Sequence, residues 1–211
     1  MLYQNLSRQQ IIKACRRLDQ LGFVAASDGN VSSRVDDKDI LITPSGLAKG
    51  ELGPDQILLT DIEGRIIRGE GSASSEIKMH LYVYRMRPDI KAVVHAHPPT
   101  ATGFATAGIS LTDPILPEVV LTVGPVPLAK YATPSTNEVP KSIAPYIKKH
   151  NAILLANHGV LTLGKDVTEA LHRMERVEHL AKIMLVAGQL GGARKLNKTQ
   201  LRKLLDTFKF I

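Results

Sequence analysis

The sequence contains very few aromatic residues and a single cysteine. Tryptophan is absent and aromatic side chains make up 4% of the 211 residues, so the stacking surfaces that single-stranded nucleic acids require are scarce. Having only Cys15 excludes an intrachain disulfide and an all-cysteine metal site. Because Cys15 lies among Ile11, Ala14 and Leu18, we expect it to be a buried apolar residue.

Long apolar runs are also lacking. No run approaches the roughly 18 to 20 apolar residues that span a bilayer, and no basic segment followed by an apolar one marks a secretory signal. We therefore expect a cytoplasmic protein without membrane contact. The composition is 44% hydrophobic and 22% charged, which suits a folded chain with a real core. The length predicts one domain over residues 1–211.

The net charge of +7 raises the question of nucleic acid binding. The basic residues are spread along the chain apart from RKLNKTQLRK at 194–203, a stretch typical of the solvated face of a terminal helix. Together with the scarcity of aromatic residues, this pattern argues against a nucleic acid partner. A positive surface would instead attract a phosphorylated small molecule.

Apolar periodicity predicts alternating helices and strands. Helices are predicted over 8–21, 75–87, 99–107, 136–149, 167–188 and 197–209. Strands are predicted over 40–43, 56–61, 65–69, 91–97, 118–121 and 126–129, with a strand hairpin over 152–164. Ser7 with Gln10 and Asn197 with Gln200 are the predicted caps of the first and last helices. Hairpins combined with helices favour an α/β fold with a mixed, largely antiparallel sheet covered by helices.

Two histidines close the predicted strand over 91–97. Residues i and i+2 of a strand point to the same face, so His95 and His97 aim their imidazoles at one point. His158 ends another apolar run and precedes Gly159, which lets the backbone pass close to a site. Three histidines from two strand ends, with one coordination position open, are typical of a catalytic zinc site. A packed core histidine is the alternative for each of them taken alone.

The segment GSASSEIKMH, at 71–80, brings small hydroxyl residues and Glu76 to the start of a predicted helix. Backbone amides and hydroxyls gathered at a helix N-terminus favour an anion, which predicts a phosphate site. The alternative is an ordinary N-cap, with Ser74 or Ser75 as the capping residue and Glu76 in the first turn. Two further loops carry the same chemistry: ITPSG at 42–46 and SDGN at 27–30.

Together these motifs resemble the class II aldolase and adducin family, and within it the enzymes that cleave L-fuculose 1-phosphate. The resemblance covers about residues 7–188. Its motifs occur in the family's order: GNVS (29–32), ITPSG (42–46), SSE (74–76), HAH (95–97), YAT (131–133) and NHG (157–159). The resemblance implies a three-layer α/β fold with helices on both sides of the sheet. It also implies a homotetramer with active sites at the subunit interfaces.

The resemblance assigns roles to individual residues. It implies one Zn²⁺, or another divalent metal, per subunit, held by His95, His97 and His158. Glu76 would be the catalytic acid and base, and would also contact zinc when substrate is absent. The residues that would bind the substrate phosphate are Asn30, Ser45, Gly46, Ser74 and Ser75.

The implied reaction is the reversible cleavage of a ketose 1-phosphate into dihydroxyacetone phosphate and an aldehyde. Breaking a carbon–carbon bond beside a ketone leaves an enediolate, whose charge a metal ion stabilises as a Lewis acid. Glu76 would move the proton. A closed site would raise the pKa of this carboxyl, whereas a nearby cation would lower it.

Relatives on the same scaffold leave other functions open. Pentulose-phosphate 4-epimerases of this family typically carry aspartate where this sequence has Glu76, which favours the aldolase. Dehydratases acting on methylthioribulose phosphate use a glutamate, so Glu76 does not exclude them. A non-catalytic adducin-like interaction module is the third reading. Such modules are expected to have lost zinc ligands, and all three are present here.

Two segments depart from the family's pattern. The fuculose enzyme is expected to present a tyrosine from a neighbouring subunit in the segment after the metal histidines. Here ILPEVV at 115–120 has no aromatic residue and places Glu118 in that segment. Near the C-terminus, where the family can contribute another tyrosine, TFKFI offers only Phe208 and Phe210. The sequence therefore does not predict which aldehyde is released.

Other polar residues are expected to play secondary roles. His80 lies four residues after Glu76 on the same helix face, and a supporting role is favoured over metal binding. Tyr131 is expected to support the site. The histidines expected to be structural are His150, His172 and His179, and the cations expected to be solvated are Lys49, Lys130 and Arg65.

Overall fold

A mixed eight-stranded sheet runs through the middle of the molecule. The computed structural model describes residues 2–208 and, of residues 2 and 3, the backbone alone. Within this range the strands are β1 (Asn30–Arg34), β2 (Asp39–Ile42), β3 (Leu58–Asp61), β4 (Ile66–Arg68), β5 (Ala92–Ala96), β6 (Leu128–Ala129), β7 (Ala152–Leu155) and β8 (Gly159–Gly164). Their order is β4-β3-β2-β1-β5-β8-β7-β6. The β6–β7 pair is parallel and the other neighbouring pairs are antiparallel.

Helices cover both faces of this sheet. They are α1 (Leu2–Gln20), α2 (Ile77–Met86), α3 (Pro99–Thr106), α4 (Pro117–Thr122), α5 (Glu138–Ile143), α6 (Val167–Gln189) and α7 (Lys198–Thr207). Short 3₁₀ turns occupy Lys49–Glu51 and Pro54–Gln56. Helices α1, α3 and α6 pack on one face, and α2 and α5 pack on the other. The predicted α/β fold, with a mixed sheet between two helical layers, is confirmed.

The alternation of side chains along β5 divides the core into two apolar clusters. Val94 packs in the cluster with α1 and α6, whereas Val93, on the opposite face, packs in the cluster with α2 and α5. Both faces are buried, which explains the continuous apolar run that precedes His95. By the same alternation, His95 shares the face of Val93 and lies on the side that α2 covers.

The single cysteine lies in the apolar core. Cys15 is fully buried in the cluster beneath α1, as predicted. Burial raises the pKa of its thiol to about 12, which makes the thiolate scarce near neutral pH. Among residues 2–208 there is no helix with the length and apolar character needed to cross a membrane.

The strand predicted over 118–121 is wrong, because Pro117–Thr122 forms α4. Adjacent valines favour strands, but Pro117 stands in the first turn of a helix, where its missing N–H costs no hydrogen bond. Val119 is the buried residue of this helix, and Arg173 of α6 donates a hydrogen bond to the Thr122 carbonyl. Helical spacing thus buries one side of the segment and leaves Glu118 exposed.

Two further predicted helix boundaries differ. The first helix begins at Leu2, because no glycine or proline precedes Ser7 to stop it, so Ser7 lies inside α1 and does not cap it. Helix α5 ends at Ile143, since Pro145 has no N–H to extend the ladder. Asn197 and Gln200 do cap α7 as predicted. The predicted end of that helix at 209, and Phe210, lie outside the described residues.

Candidate active site

A cavity of about 270 Å³ opens where β1 begins, β5 ends and the turn between β7 and β8 meets the start of α2. The nine residues predicted as metal ligands, proton carrier or phosphate ligands all line this one cavity: Asn30, Ser45, Gly46, Ser74, Ser75, Glu76, His95, His97 and His158. The antiparallel register places Asn30 directly opposite His95. Segments from distant parts of the sequence therefore converge at one end of the sheet.

Three imidazoles meet in this cavity. His95 belongs to β5, His97 follows that strand, and His158 lies in the turn between β7 and β8. Their ligand atoms all lie within 4.8 Å of one another. The Nε2 atoms of His95 and His97 are 3.2 Å apart, and two nitrogens bound to one tetrahedral zinc ion would be about 3.3 Å apart. The three side chains could therefore hold a single metal ion.

Two glycines let the surrounding backbone approach β5 closely. A Cβ on Gly159 would lie 2.5 Å from Cδ2 of His97 and 2.6 Å from the carbonyl oxygen of Ala96. A Cβ on Gly29, whose φ is +69°, would lie 2.9 Å from the carbonyl oxygen of His95. Any larger residue at Gly159 would displace the imidazole of His97. These contacts explain why glycine stands in the NHG and DGN motifs.

Glu76 points its carboxylate at the histidines from the start of α2. Its Oε2 is 2.9 Å from Nε2 of His95 and 3.4 Å from Nε2 of His158. Its Oε1 accepts a hydrogen bond from the backbone N–H of Ser135 at 3.4 Å. Glu76 itself is the N-cap residue of α2. The predicted helix start at 75 is therefore wrong, and the alternative in which Ser74 or Ser75 caps the helix does not hold.

The donor set suits a metal cation. Nδ1 of His95 lies 3.0 Å from the carbonyl oxygen of Val160, and a carbonyl only accepts. Nδ1 therefore carries a proton, and an imidazole in that tautomer presents the lone pair of Nε2 to a metal ion. That lone pair faces Oε2 of Glu76, a buried atom with no hydrogen-bond partner within the described chain. Because buried acceptors repel one another unless a cation lies between them, these residues fit a metal ion.

The protonation states agree with this assignment. Burial, reinforced by the neighbouring His95, lowers the pKa of His158 to about 4 and also lowers the pKa of His97. Burial raises the pKa of Glu76, but the hydrogen bond and charge of a protonated His95, the charge of a protonated His158 and the Ser135 N–H outweigh burial and lower that pKa to about 2. Near neutral pH, Glu76 is ionised while His97 and His158 are neutral, as metal ligands must be. The hydrogen bonds and imidazoles around Glu76, rather than site closure, thus decide the direction of its pKa shift.

Two small-residue loops are tied together beside Glu76. The Ser45 N–H donates to the Ser72 carbonyl at 2.9 Å, and the Ser74 N–H donates to the Thr43 carbonyl at 3.2 Å. These bonds hold the ITPSG and GSASSE motifs side by side at the cavity wall. Within the described chain, no lysine or arginine contributes to the lining. Hydroxyl and amide groups are therefore the anion-binding groups that this chain offers there.

Two cavity residues that contact predicted site residues, Asp28 and Ser135, were not predicted. Asp28 places Oδ2 3.5 Å from Nδ1 of His97, and its position in the SDGN loop was an available signal. Ser135, which bonds Glu76, has a φ of +66° in a loop without a distinctive motif. Tyr131, expected to support the site, is 62% exposed and does not line the cavity. The histidines expected to be structural also lie outside the lining: His150, His172 and His179.

Lys49 was expected to be solvated, and that prediction is wrong. Its side chain is 2% exposed, and Nζ donates to the carbonyl oxygens of Ser27 and Leu47, at 2.7 Å in both cases. Burial lowers the pKa of its ammonium group. Because one carbonyl belongs to the SDGN loop and the other follows the ITPSG loop, Lys49 joins two walls of the cavity from behind.

Replacing Lys49 with methionine should lower the free energy of unfolding by about 1 to 3 kcal/mol, because two buried carbonyls lose their donor while the apolar stem is kept. The loss of the desolvated charge offsets part of this cost. Urea unfolding measures the change, and Lys38→Met, at an exposed position, is the matched control. Equal unfolding midpoints for both variants would show that Lys49 does not hold the loops.

Comparison with known proteins assigns the chain to a family. Residues 9–185 match the family model for the class II aldolase and adducin N-terminal domain. L-fuculose phosphate aldolase from Methanococcus maripaludis is 36% identical over 86% of this chain and 97% of its own. The 3-oxo-tetronate 4-phosphate decarboxylase of Pectobacterium atrosepticum is 33% identical, and the match covers 86% of this chain and 85% of the length of that enzyme.

Solved structures agree with this assignment. YgbL from Escherichia coli, described as a candidate aldolase, epimerase or decarboxylase, superimposes with a TM-score of 0.89 at 30% identity. The match covers 97% of this chain and 99% of that one. Sequence, fold and the convergence of motifs lead to one conclusion: the chain is an enzyme of the class II aldolase and adducin family.

Proposed function

We propose that this chain is a zinc-dependent aldolase that reversibly cleaves a ketose 1-phosphate into dihydroxyacetone phosphate and an aldehyde. The observation that carries the proposal is the convergence of three imidazoles and the Glu76 carboxylate beside hydroxyl-lined loops. The arrangement supplies what the reaction needs, namely charge stabilisation, a proton carrier and a phosphate site. Members of this family act on phosphorylated sugars, which supports the same substrate class.

The loops would orient the substrate. Asn30 and the four residues of the two tied loops would donate hydrogen bonds to the phosphate: Ser45, Gly46, Ser74 and Ser75. Fixing the phosphate places the reacting carbon beside Glu76 and converts a chance encounter into a defined geometry. A divalent metal ion held by His95, His97 and His158 would supply Lewis-acid stabilisation of the negative charge on the substrate oxygens.

Glu76 is placed to carry the proton. Ser135 holds Oε1, while Oε2 has no hydrogen-bond partner within the described chain and is buried. Oε2 is therefore the atom that can take a proton from the carbon next to the carbonyl and return it. The low pKa of this carboxyl keeps it ionised near neutral pH, which is the form that can accept a proton.

Decarboxylation is a second candidate, favoured by the decarboxylase relative and by the segment at 115–120. Loss of CO₂ from a four-carbon 3-oxo acid phosphorylated on C4 leaves the enediolate of dihydroxyacetone phosphate. Aldol cleavage of a ketose 1-phosphate leaves the same fragment. Aldol cleavage needs a group that removes a hydroxyl proton, whereas CO₂ leaves without one. The lack of an aromatic hydroxyl at 115–120 is thus a smaller obstacle to decarboxylation.

A substrate screen with products identified by mass separates these reactions. Zinc-loaded protein would be incubated with ketose 1-phosphates, pentulose phosphates and 3-oxo acid phosphates. An aldolase yields dihydroxyacetone phosphate and an aldehyde, and a decarboxylase yields dihydroxyacetone phosphate and CO₂. An epimerase leaves the mass unchanged, and a dehydratase removes one water and keeps the carbon chain whole. Metal-loaded protein that cleaves none of these compounds would overturn the lyase proposal.

Free ketoses should be far poorer substrates than their phosphates. Each charge-assisted hydrogen bond to the phosphate contributes about 1.5 to 3 kcal/mol, so losing several of them lowers kcat/KM by orders of magnitude. Parallel assays of one ketose and its 1-phosphate measure the difference. Equal values of kcat/KM would mean that the ITPSG and GSASSE loops serve only as turns and caps.

We also infer a single-domain, cytoplasmic homotetramer with active sites at subunit interfaces. The support is the exposure of large apolar side chains, among them Leu185 at 50%, Val186 at 53% and Leu190 at 81%. Covering such side chains with further copies of the chain removes apolar surface from water. Light scattering should give about four times the chain mass of 23.0 kDa. A monomer mass would contradict the inference.

A further inference from the structure

A chain of buried hydrogen bonds connects α2 to the cavity. His80, Ser32 and Tyr84 are 0%, 0% and 1% exposed. Oγ of Ser32 lies 2.7 Å from Nδ1 of His80 and 2.7 Å from the Tyr84 hydroxyl. On the other side of the imidazole, Nε2 lies 2.6 Å from Oδ1 of Asn30. Since Asn30 lines the cavity, this series of hydrogen bonds runs from the core to the candidate phosphate site.

Donor and acceptor accounting fixes the direction of every bond in this chain. Oδ1 of Asn30 only accepts, so Nε2 of His80 donates to it. A neutral imidazole has one N–H, so Nδ1 must accept, and the Ser32 hydroxyl must donate to it. The Ser32 oxygen then accepts from the Tyr84 hydroxyl. The order of donors is therefore Tyr84, Ser32, His80 and finally Asn30.

The burial of His80 and Tyr84 keeps the donor order of these hydrogen bonds from reversing. It lowers the pKa of His80 to about 3, with His95 contributing to the decrease, so the imidazole stays neutral across the physiological range. Burial also raises the pKa of the Tyr84 hydroxyl well above its usual value, which keeps that group a donor. Neither titratable member of this hydrogen-bond series, Tyr84 or His80, therefore changes its protonation near neutral pH.

We propose that Tyr84, Ser32 and His80 form a relay that fixes the orientation of the Asn30 amide, so that its hydrogens face the substrate phosphate. Because Oδ1 is held by His80, the NH₂ group is what Asn30 presents to a ligand. A phosphate oxygen accepts hydrogen bonds and is repelled by an amide oxygen, so the flipped orientation would weaken binding. His80 is thus a positioning residue, and this inference rests on the proposed function.

The tautomer of His80 tests the relay without any substrate. In protein labelled with ¹⁵N-histidine, long-range proton–nitrogen correlation spectra distinguish an Nε2–H imidazole from an Nδ1–H imidazole. We expect the neutral Nε2–H form for His80 in the wild-type protein. Removing the Ser32 hydroxyl with Ser32→Ala should shift part of the population to the Nδ1–H form. An Nδ1–H imidazole in the wild-type protein would overturn the proposed direction.

Binding of inorganic phosphate to the zinc-loaded protein tests the consequence. Ser32→Ala should weaken the phosphate Kd by about three- to tenfold, the equivalent of one net hydrogen bond, with KM for the phosphorylated substrate rising more than kcat falls. Ser33→Ala is the matched control, since Ser33 is the next residue of β1, is also buried and points to the opposite face. Metal analysis confirms that both variants retain zinc.

The outcomes separate the relay from the proposed function. Equal phosphate affinities for the Ser32→Ala and Ser33→Ala variants would overturn the relay's role, even with the expected tautomer. A wild-type protein that binds neither inorganic phosphate nor phosphorylated substrates would overturn the proposed function. An unchanged Kd with a lower unfolding midpoint in Ser32→Ala would reduce the three buried residues to structural support and contradict positioning.

Discussion

Replacing Glu76 with glutamine should lower turnover by about a hundredfold to ten-thousandfold, the range typical of general acid–base groups. Glutamine keeps the shape of the side chain but cannot carry the proton. The clearest measurement is solvent deuterium exchange into dihydroxyacetone phosphate without aldehyde. The wild-type enzyme should exchange one C3 proton, because the enediolate forms before any carbon–carbon bond is made, and the Glu76→Gln variant should lose this exchange.

Two control measurements test whether Glu76 is the proton carrier. Metal content should stay near one ion per chain in the variant, because the three imidazoles remain in place. Glu70→Gln, at an exposed position outside the cavity, should exchange and turn over like the wild type. If Glu76→Gln kept zinc and still exchanged the proton at the wild-type rate, another group would have to carry the proton.

Parts of the candidate site were predictable from local geometry, and the family resemblance supplied the remaining residues. His95 and His97 share a face through the two-residue period of a strand, and Gly159 beside His158 marks a close approach of the backbone. Glu76 follows small hydroxyl residues at a helix start. What the sequence does not encode locally is register. The pairing of Asn30 with His95 across β1 and β5 depends on contacts between distant segments.

The missed features share this dependence on distant contacts. Strand β1, with the sequence NVSSR, has one large apolar residue and lacks the alternation of a strand, yet all five residues are buried. Their polar side chains find partners far away in the sequence, as Ser32 does in His80 and Tyr84. Lys49 is a similar case, because the Ser27 carbonyl that accepts its hydrogen bond was not predictable from composition. The polarity of β1 and Lys49 therefore suggested a loop and a solvated side chain. In the fold, both are buried and hydrogen-bonded to distant residues.

Function was predictable only to the level of the shared chemistry. Decarboxylation was not among the alternatives drawn from the sequence, although it uses the same enediolate, metal site and proton carrier. Aldol cleavage and decarboxylation differ in the group that leaves, and in this chain Glu118 and the C-terminal segment are the parts that depart from the family's pattern. If the proposed function holds, the cavity residues account for the phosphorylated three-carbon fragment more fully than for the group that leaves it.

Replacing His95 with alanine should abolish both metal binding and activity. Two imidazoles and a carboxylate would remain, but the pair of nitrogens 3.2 Å apart in His95 and His97 would be lost with one of its members. The fold should persist, because His95 lies at the cavity wall and belongs to neither apolar cluster. Metal analysis, activity and urea unfolding measured on the same preparation check all three expectations, and His172→Ala, on the exposed side of α6, is the matched control.

Chelation extends this test to the unmodified protein. Wild-type protein should contain about one divalent ion per chain, lose activity on chelation and regain it when zinc is added, whereas His95→Ala should not respond to zinc. Restoration by zinc but not by magnesium would fit a site built from imidazole nitrogens, which magnesium binds poorly. Wild-type protein without stoichiometric metal and without any response to zinc would remove the basis of the lyase proposal. The adducin-like interaction module would then be the remaining reading, because Glu76 alone cannot stabilise the charge that carbon–carbon cleavage creates.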